Sequence, residues 1–177
     1  MNLDVILAPN LPMSASDLPE PQAYAEFHPF LKGVFSQWHP TSFAIEGEPF
    51  STAEQWMMFA KASLFADSAR ALAIRATIDP AQQKRLGAEV QGFDQALWDA
   101  RKLAIVYRGN LEKFKQNAGA LRQLLATAPA LLVEANPRDW VWGCGLSETD
   151  AGIGRPSHWR GENLLGRILT RVRNELS

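Results

Sequence analysis

The most informative hydropathy pattern falls on residues 53–65. Ala53, Trp56, Met57, Ala60 and Leu64 recur at helical spacing and make one apolar face. A second stripe runs Glu54, Met58, Lys61, Phe65, so apolar character covers most of the helix while an acid and an amine share one side. A helix this apolar is expected to be buried, and buried charges need a reason. Ser51 stands where an N-cap is expected, and Glu54 follows three residues on, the spacing of a capping box. Just upstream, residues 42–46 read as a short strand and Glu46-Gly47-Glu48 as a turn.

The pattern continues in helices. Asp67 is placed to cap a helix over residues 68–76, and Asp79-Pro80 opens another that ends near Gly87. Asp94 precedes the longest helix, residues 95–117, whose stripe of Leu97 or Trp98, Arg101, Ile105, Arg108 and Glu112 again sets polar groups among large apolar ones. Residues 118–128 add a further helical stretch, residues 131–135 a strand, and residues 163–175 a last helix with Leu164, Leu165, Ile168, Leu169 and Val172 on its apolar side. Residues 35–38 read as a turn with Trp38 packed inward. Residues 1–29 carry five prolines, which predicts an extended arm in which residues 3–7 are a candidate edge strand. The expected organisation is a Pro-rich arm, 1–29, followed by a domain, 30–177, of α+β class and mainly helical.

Composition narrows the chemistry. The 177 residues are 46% apolar and 21% charged with a formal charge of −1, which fits one globular domain with a real core and no broad field for a polyanion. Twelve of the eighteen cations are Arg, so local basic surface is still open to it. A single cysteine, Cys144, excludes an internal disulfide, and no paired Cys/His spacing suggests a metal. No cofactor is expected. With no signal peptide and no apolar run of membrane-spanning length, a cytoplasmic protein without a membrane partner is expected.

Two features suggest a ligand. Six of the twelve glycines lie in residues 143–166, a density that suits backbone approaching a ligand closely. A helix starting near Asn163 after those glycines is a favourable place for a phosphate, with Arg160 or Arg167 nearby, although neither common nucleotide-loop spacing is present. There are also six tryptophans. Trp56 reads as core, whereas Trp142, between an acid and glycines, suits a stacking wall for a heterocycle. Glu54 and Lys61 lie roughly 10 Å apart along one side of their helix, too far for a direct ion pair. Either they frame two ends of one cleft, or Glu54 closes the capping box and Lys61 carries its amine to water.

The run from Ser51 through Glu54, Gln55, Trp56 and Lys61 to Asp67 resembles the signature of the NADAR superfamily, the YbiA-like N-glycosidases. So do Gly92-Phe93-Asp94 with Trp98, Lys113-Phe114-Lys115-Gln116-Asn117, Asp139-Trp140-Val141-Trp142-Gly143-Cys144-Gly145, and Gly161-Glu162-Asn163-Leu164-Leu165-Gly166. These ordered motifs cover residues 35–176. Cys144 departs from the aliphatic residue frequent at its position.

The resemblance implies a pocket for a ribosyl-phosphate or ADP-ribosyl small molecule and cleavage of an N-glycosidic bond. The substrate implied is a phosphorylated ribosylamino-pyrimidine of riboflavin biosynthesis, which would release ribose 5-phosphate. The alternatives are removal of ADP-ribose from guanine in nucleic acid, or a non-catalytic NAD/ADP-ribose-binding module. Carried over by motif, Glu54, Lys61 and Asp139 are the candidate catalytic residues, and Trp98, Trp142, Gly143, Gly145, Asn163 and Gly166 the candidate substrate-binding ones. The chemistry fits these types. Breaking a C–N glycosidic bond builds positive charge on the ribose, which a carboxylate stabilises while it moves a proton. A lysine of lowered pKa offers a Schiff-base route instead.

Overall fold

The computed structural model describes residues 2–177. In chain order its elements are α1 (Leu3–Leu7), β1 (Phe27–Phe30), β2 (Phe43–Ile45), β3 (Glu48–Phe50), α2 (Ala53–Leu64), α3 (Ser68–Ala76), α4 (Pro80–Ala88), α5 (Gln95–Gln116), α6 (Ala118–Leu125), β4 (Leu131–Glu134) and α7 (Leu164–Leu176). This is the mainly helical α+β class expected from the sequence. The chain forms two compact units. One takes the residues up to Met13 with Gln37–Asn117, and the other takes Ser14–Ser36 with Ala118–Ser177.

The first unit is built on α2, which packs against α3, α4 and α5. Every residue of α2 from position 53 to 60 is buried, so the all-round apolar pattern reflects neighbours on several sides. Trp56 sits at the crossing with α5. It is fully buried, and its indole N–H donates to the Ile105 carbonyl at 2.8 Å, which satisfies the one polar atom such a ring must place. Gly109 permits the approach, because a Cβ there would overlap the indole. The hairpin β2–β3 is antiparallel, with Phe43 opposite Phe50. Its turn puts both Glu46 (φ 50°) and Gly47 (φ 78°) in the left-handed region, the backbone twist that two-residue hairpins favour.

The second unit is a two-stranded parallel ladder, β1 beside β4, with α7 packed on β4. Leu131, Leu132 and Val133 are fully buried, as the near-continuous apolar run of a covered parallel strand requires. Strand β1 escapes a sequence reading because Pro29 lies inside it, and an edge strand tolerates a residue that cannot donate to a ladder.

Two local expectations are corrected. Residues 3–7 form a helix, not an edge strand, because the Asn2 side chain accepts from the N–H groups of Asp4 and Val5 and starts a turn. Trp38 does not pack inward. It is 42% exposed, with the Lys84 ammonium 5.9 Å from its ring centroid.

Candidate functional site

The two ends of α2 are built differently. At its start the cap falls one residue later than the sequence spacing suggests. Thr52 Oγ1 accepts the Gln55 N–H at 2.9 Å, and Gln55 Oε1 reaches back to the Ser51 N–H at 2.7 Å. Gln55 thus does the work expected of Glu54. Glu54 is nevertheless buried, at 6% exposure, and its main-chain N–H donates to the Gln37 carbonyl at 3.0 Å.

Two turns on, Lys61 does not carry its amine to open water. Its Nζ donates to the Gly87 carbonyl at 2.8 Å and lies 4.5 Å from the Phe93 ring centroid and 5.7 Å from that of Trp98. Burial holds the Lys61 ammonium below the ordinary lysine range, since removing a charge from water disfavours it. Trp98 is itself buried and forms a wall beside the amine, whereas Phe93 is 43% exposed and supplies the open aromatic face. Sequence reasoning placed Gly87 at a helix end and Phe93 in a family motif, and assigned neither to the site. Their signal was present, since Asp94 caps α5 through the Leu97 N–H at 2.7 Å and so fixes Phe93 one residue before it.

In the second unit, the glycine-rich segment folds back on itself. Asp139 Oδ1 accepts the N–H groups of Val141 (3.0 Å) and Trp142 (2.8 Å), closing a tight turn. The N–H groups of Asn163, Leu164 and Leu165 then donate to the carbonyls of Gly143, Val141 and Trp142 at 3.1–3.2 Å. These are the donors at the start of α7 on which a phosphate was expected, and the protein's own loop takes all three. Arg167 is committed as well. Its guanidinium donates to the carbonyls of Ala15 (2.7 Å) and Pro19 (2.9 Å) and pairs with Glu20 at 3.0 Å.

The glycines have packing reasons. A Cβ at Gly161 would overlap the Gly143 carbonyl, one at Gly166 the Leu132 carbonyl, and one at Gly143 would lie 2.8 Å from the Asp139 carbonyl. Gly145 adopts φ 74°. Asn163, fully buried and left-handed at φ 51°, holds the side of β4 away from β1. Its Oδ1 accepts the Glu134 N–H at 2.9 Å, and its Nδ2 donates to the Leu132 carbonyl at 3.0 Å. Cys144 is fully buried and burial pushes its thiol pKa up, so it is not a reactive nucleophile.

The structure therefore gathers the candidate residues into two groups. Glu54, Lys61 and Trp98 belong to the first unit. Asp139, Trp142, Gly143, Gly145, Asn163 and Gly166 are knitted together in the second.

A family model described as NADAR domain matches residues 26–177. The chain belongs to the NADAR family. N-glycosidase R617 of Acanthamoeba polyphaga mimivirus is 38% identical over 166 residues, covering 88% of this chain and 98% of that protein. Protein irg-1 of Caenorhabditis elegans is 34% identical over 161 residues, covering 81% of this chain and 75% of its own. The NMR structure of Escherichia coli YbiA superposes with a TM-score of 0.70 at 27% identity, covering 86% of this chain and 85% of that one. YbiA too bears the name N-glycosidase. The hydrolase of N-glycosyl compounds that the NADAR motifs implied agrees with the names that R617 and YbiA carry. Among the described residues, no helix is long and apolar enough to cross a membrane.

Proposed function

We propose that this NADAR protein is an N-glycosidase that hydrolyses the C–N bond of a phosphorylated ribosylamino-pyrimidine, an intermediate of riboflavin biosynthesis, to release ribose 5-phosphate. One observation carries the reading. A single helix buries Glu54 at its first turn and, two turns on, holds the half-buried amine of Lys61, whose pKa burial depresses. A binding module has no need of either group in that state, whereas glycosidic cleavage uses both.

In the proposed reaction the Lys61 amine, deprotonated, attacks the anomeric carbon. The C–N bond breaks, and the electron pair leaves with the base nitrogen, which takes up a proton. The ribose ring then opens: the bond from the anomeric carbon to the ring oxygen breaks, a proton passes from the attached Lys61 nitrogen to that oxygen, and an iminium is left. Water adds to the iminium, and the sugar departs as its aldehyde while Lys61 regains its amine. Glu54 supplies the proton in the first half and accepts one from water in the second. Asp139, Trp142, Gly143, Gly145, Asn163 and Gly166 enter through the family motifs on which they lie. Asp139 shapes the turn that carries Trp142, the residue proposed to stack on the base. Trp98 backs the amine. The formal charge of −1 favours a small molecule over a nucleic acid as substrate.

The test is incubation with a panel of phosphorylated N-ribosides beside ADP-ribosylated guanine in an oligonucleotide. Release of ribose 5-phosphate from the ribosylamino-pyrimidine is expected. Turnover of the oligonucleotide alone would replace this substrate with the nucleic acid, and turnover of neither would leave a binding module.

A further inference from the structure

We infer that Gln37 and Asn110 form a positioning relay that fixes the first turn of α2, and with it Glu54, against α5. The inference rests on the proposal that Glu54 is the catalytic carboxylate.

The relay is a chain of hydrogen bonds inside the first unit. An N–H group in the first turn of a helix has no partner within the helix, and for Glu54 that partner is the main-chain carbonyl of Gln37, at 3.0 Å. Gln37 belongs to no helix or strand, so side-chain anchoring contributes to placing its carbonyl. Asn110 provides such an anchor. Its Nδ2 donates to Gln37 Oε1 at 2.9 Å and to the Val106 carbonyl, one turn back on α5, also at 2.9 Å.

Asn110 is fully buried, and its Oδ1 is a buried acceptor without a hydrogen-bond partner. A buried orphan acceptor costs free energy that an apolar side chain of similar volume avoids. What the amide provides in return is its pair of N–H groups, one tied to the rigid helix and one to the loop. Both are committed, which also settles which way the amide points. The position of the Glu54 backbone is thus referred to the middle of the longest helix through two side chains. A catalytic group needs this kind of support, because a displacement of about 1 Å costs up to about 100-fold in rate.

The experiment compares Gln37→Ala, Gln37→Glu, Asn110→Leu and the double variant Gln37→Ala/Asn110→Leu in the full chain, with Glu54→Gln as reference and the ribosylamino-pyrimidine phosphate as substrate. Gln37→Ala is expected to lower kcat about tenfold with KM changed by less than about twofold, the split expected when only transition-state geometry suffers. Gln37→Glu keeps an oxygen for the Asn110 amide and is expected to restore kcat. Asn110→Leu should match Gln37→Ala, and the double variant should be no worse than either, because both break one relay. Losses that add, or melting temperatures that fall while kcat per folded molecule stays at the wild-type value, overturn the relay while Glu54→Gln remains inactive. Wild-type turnover by Glu54→Gln overturns the catalytic reading of Glu54 and the relay with it.

Discussion

The ammonium nitrogen of Lys61 donates to the main-chain carbonyl of Gly87, 2.8 Å away, in the last turn of α4. Carbonyls in that turn lack partners within the helix and carry its negative partial charge, so they hold a cation well. Burial works the other way and lowers the pKa. The amine is therefore fixed in place while its free form becomes accessible at lower pH than for an ordinary lysine. Turnover that depends on the free amine is expected to rise with pH and to level off below pH 10.5, the ordinary lysine value. Borohydride should trap the sugar on the wild type, and Lys61→Ala should abolish trapping. Full activity in Lys61→Ala would reduce the amine to a packing role.

Glu54 gives the sharpest chemical contrast. Since Thr52 and Gln55 carry the cap, Glu54→Gln is expected to melt with the wild type while turnover drops by about 100-fold or more. Thr52→Ala should show the reverse. It loses the cap and the bond to Gln83 at 2.8 Å, so stability falls by roughly 1–2 kcal/mol while activity per folded molecule is kept. Equal turnover in Glu54→Gln and wild type is the outcome that removes Glu54 from the chemistry.

Lys113 sets a pH dependence of stability. It is fully buried on α5, and burial lowers its pKa from 10.5 to about 7. The folded value lies below the unfolded one, so between pH 7 and 10.5 the unfolded chain binds more protons and stability rises with pH. The penalty for a buried charge is complete below pH 7 and fades toward pH 10.5. Relative to Lys113→Met, the wild type is expected to gain roughly 3 kcal/mol between pH 7 and 9.5 in urea titrations. Parallel pH profiles for the two proteins would contradict it.

Asn163 is expected to be costly to truncate. Asn163→Ala leaves the Glu134 N–H and the Leu132 carbonyl without their partner and places alanine at a positive φ. A loss of roughly 3 kcal/mol follows, seen as a melting temperature lower by about 6–12 °C. Weakened ligand binding at an unchanged melting temperature would point instead to a direct ligand contact.

Arg167→Met should loosen the segment its guanidinium holds. The bonds to Ala15, Pro19 and Glu20 are lost, while the Arg171 bond to the Asp17 carbonyl at 3.0 Å is kept. Faster thermolysin cleavage within residues 14–20 is the expected readout. An unchanged digestion pattern would show that Met13 and Leu18, both buried, hold the segment without the arginine.

Local chemistry determined much of this protein before any tertiary contact was known. Asp67, Asp79 and Asp94 mark the starts of α3, α4 and α5 because a carboxylate satisfies first-turn N–H groups using neighbours in sequence alone. The Glu46-Gly47 turn is legible for the same reason, and the ordered motifs around Glu54, Asp139 and Asn163 identified the family. Partners distant in sequence were not legible. Pro29 hid β1, whose ladder to β4 joins residues about a hundred positions apart. The glycines at 143, 161 and 166 looked like room for a ligand, yet chain fills that room, because the bare N–H groups at the start of α7 had to be satisfied by something and a folded loop reached them first. Lys61 read equally as a snorkelling surface lysine, and only the packing of α4 and the α5 cap against α2 decided that its amine faces a helix end and two rings. Sequence fixes what a residue can do within a turn or two of itself; burial and the identity of a distant partner, which set pKa and availability, arise only when the chain closes on itself.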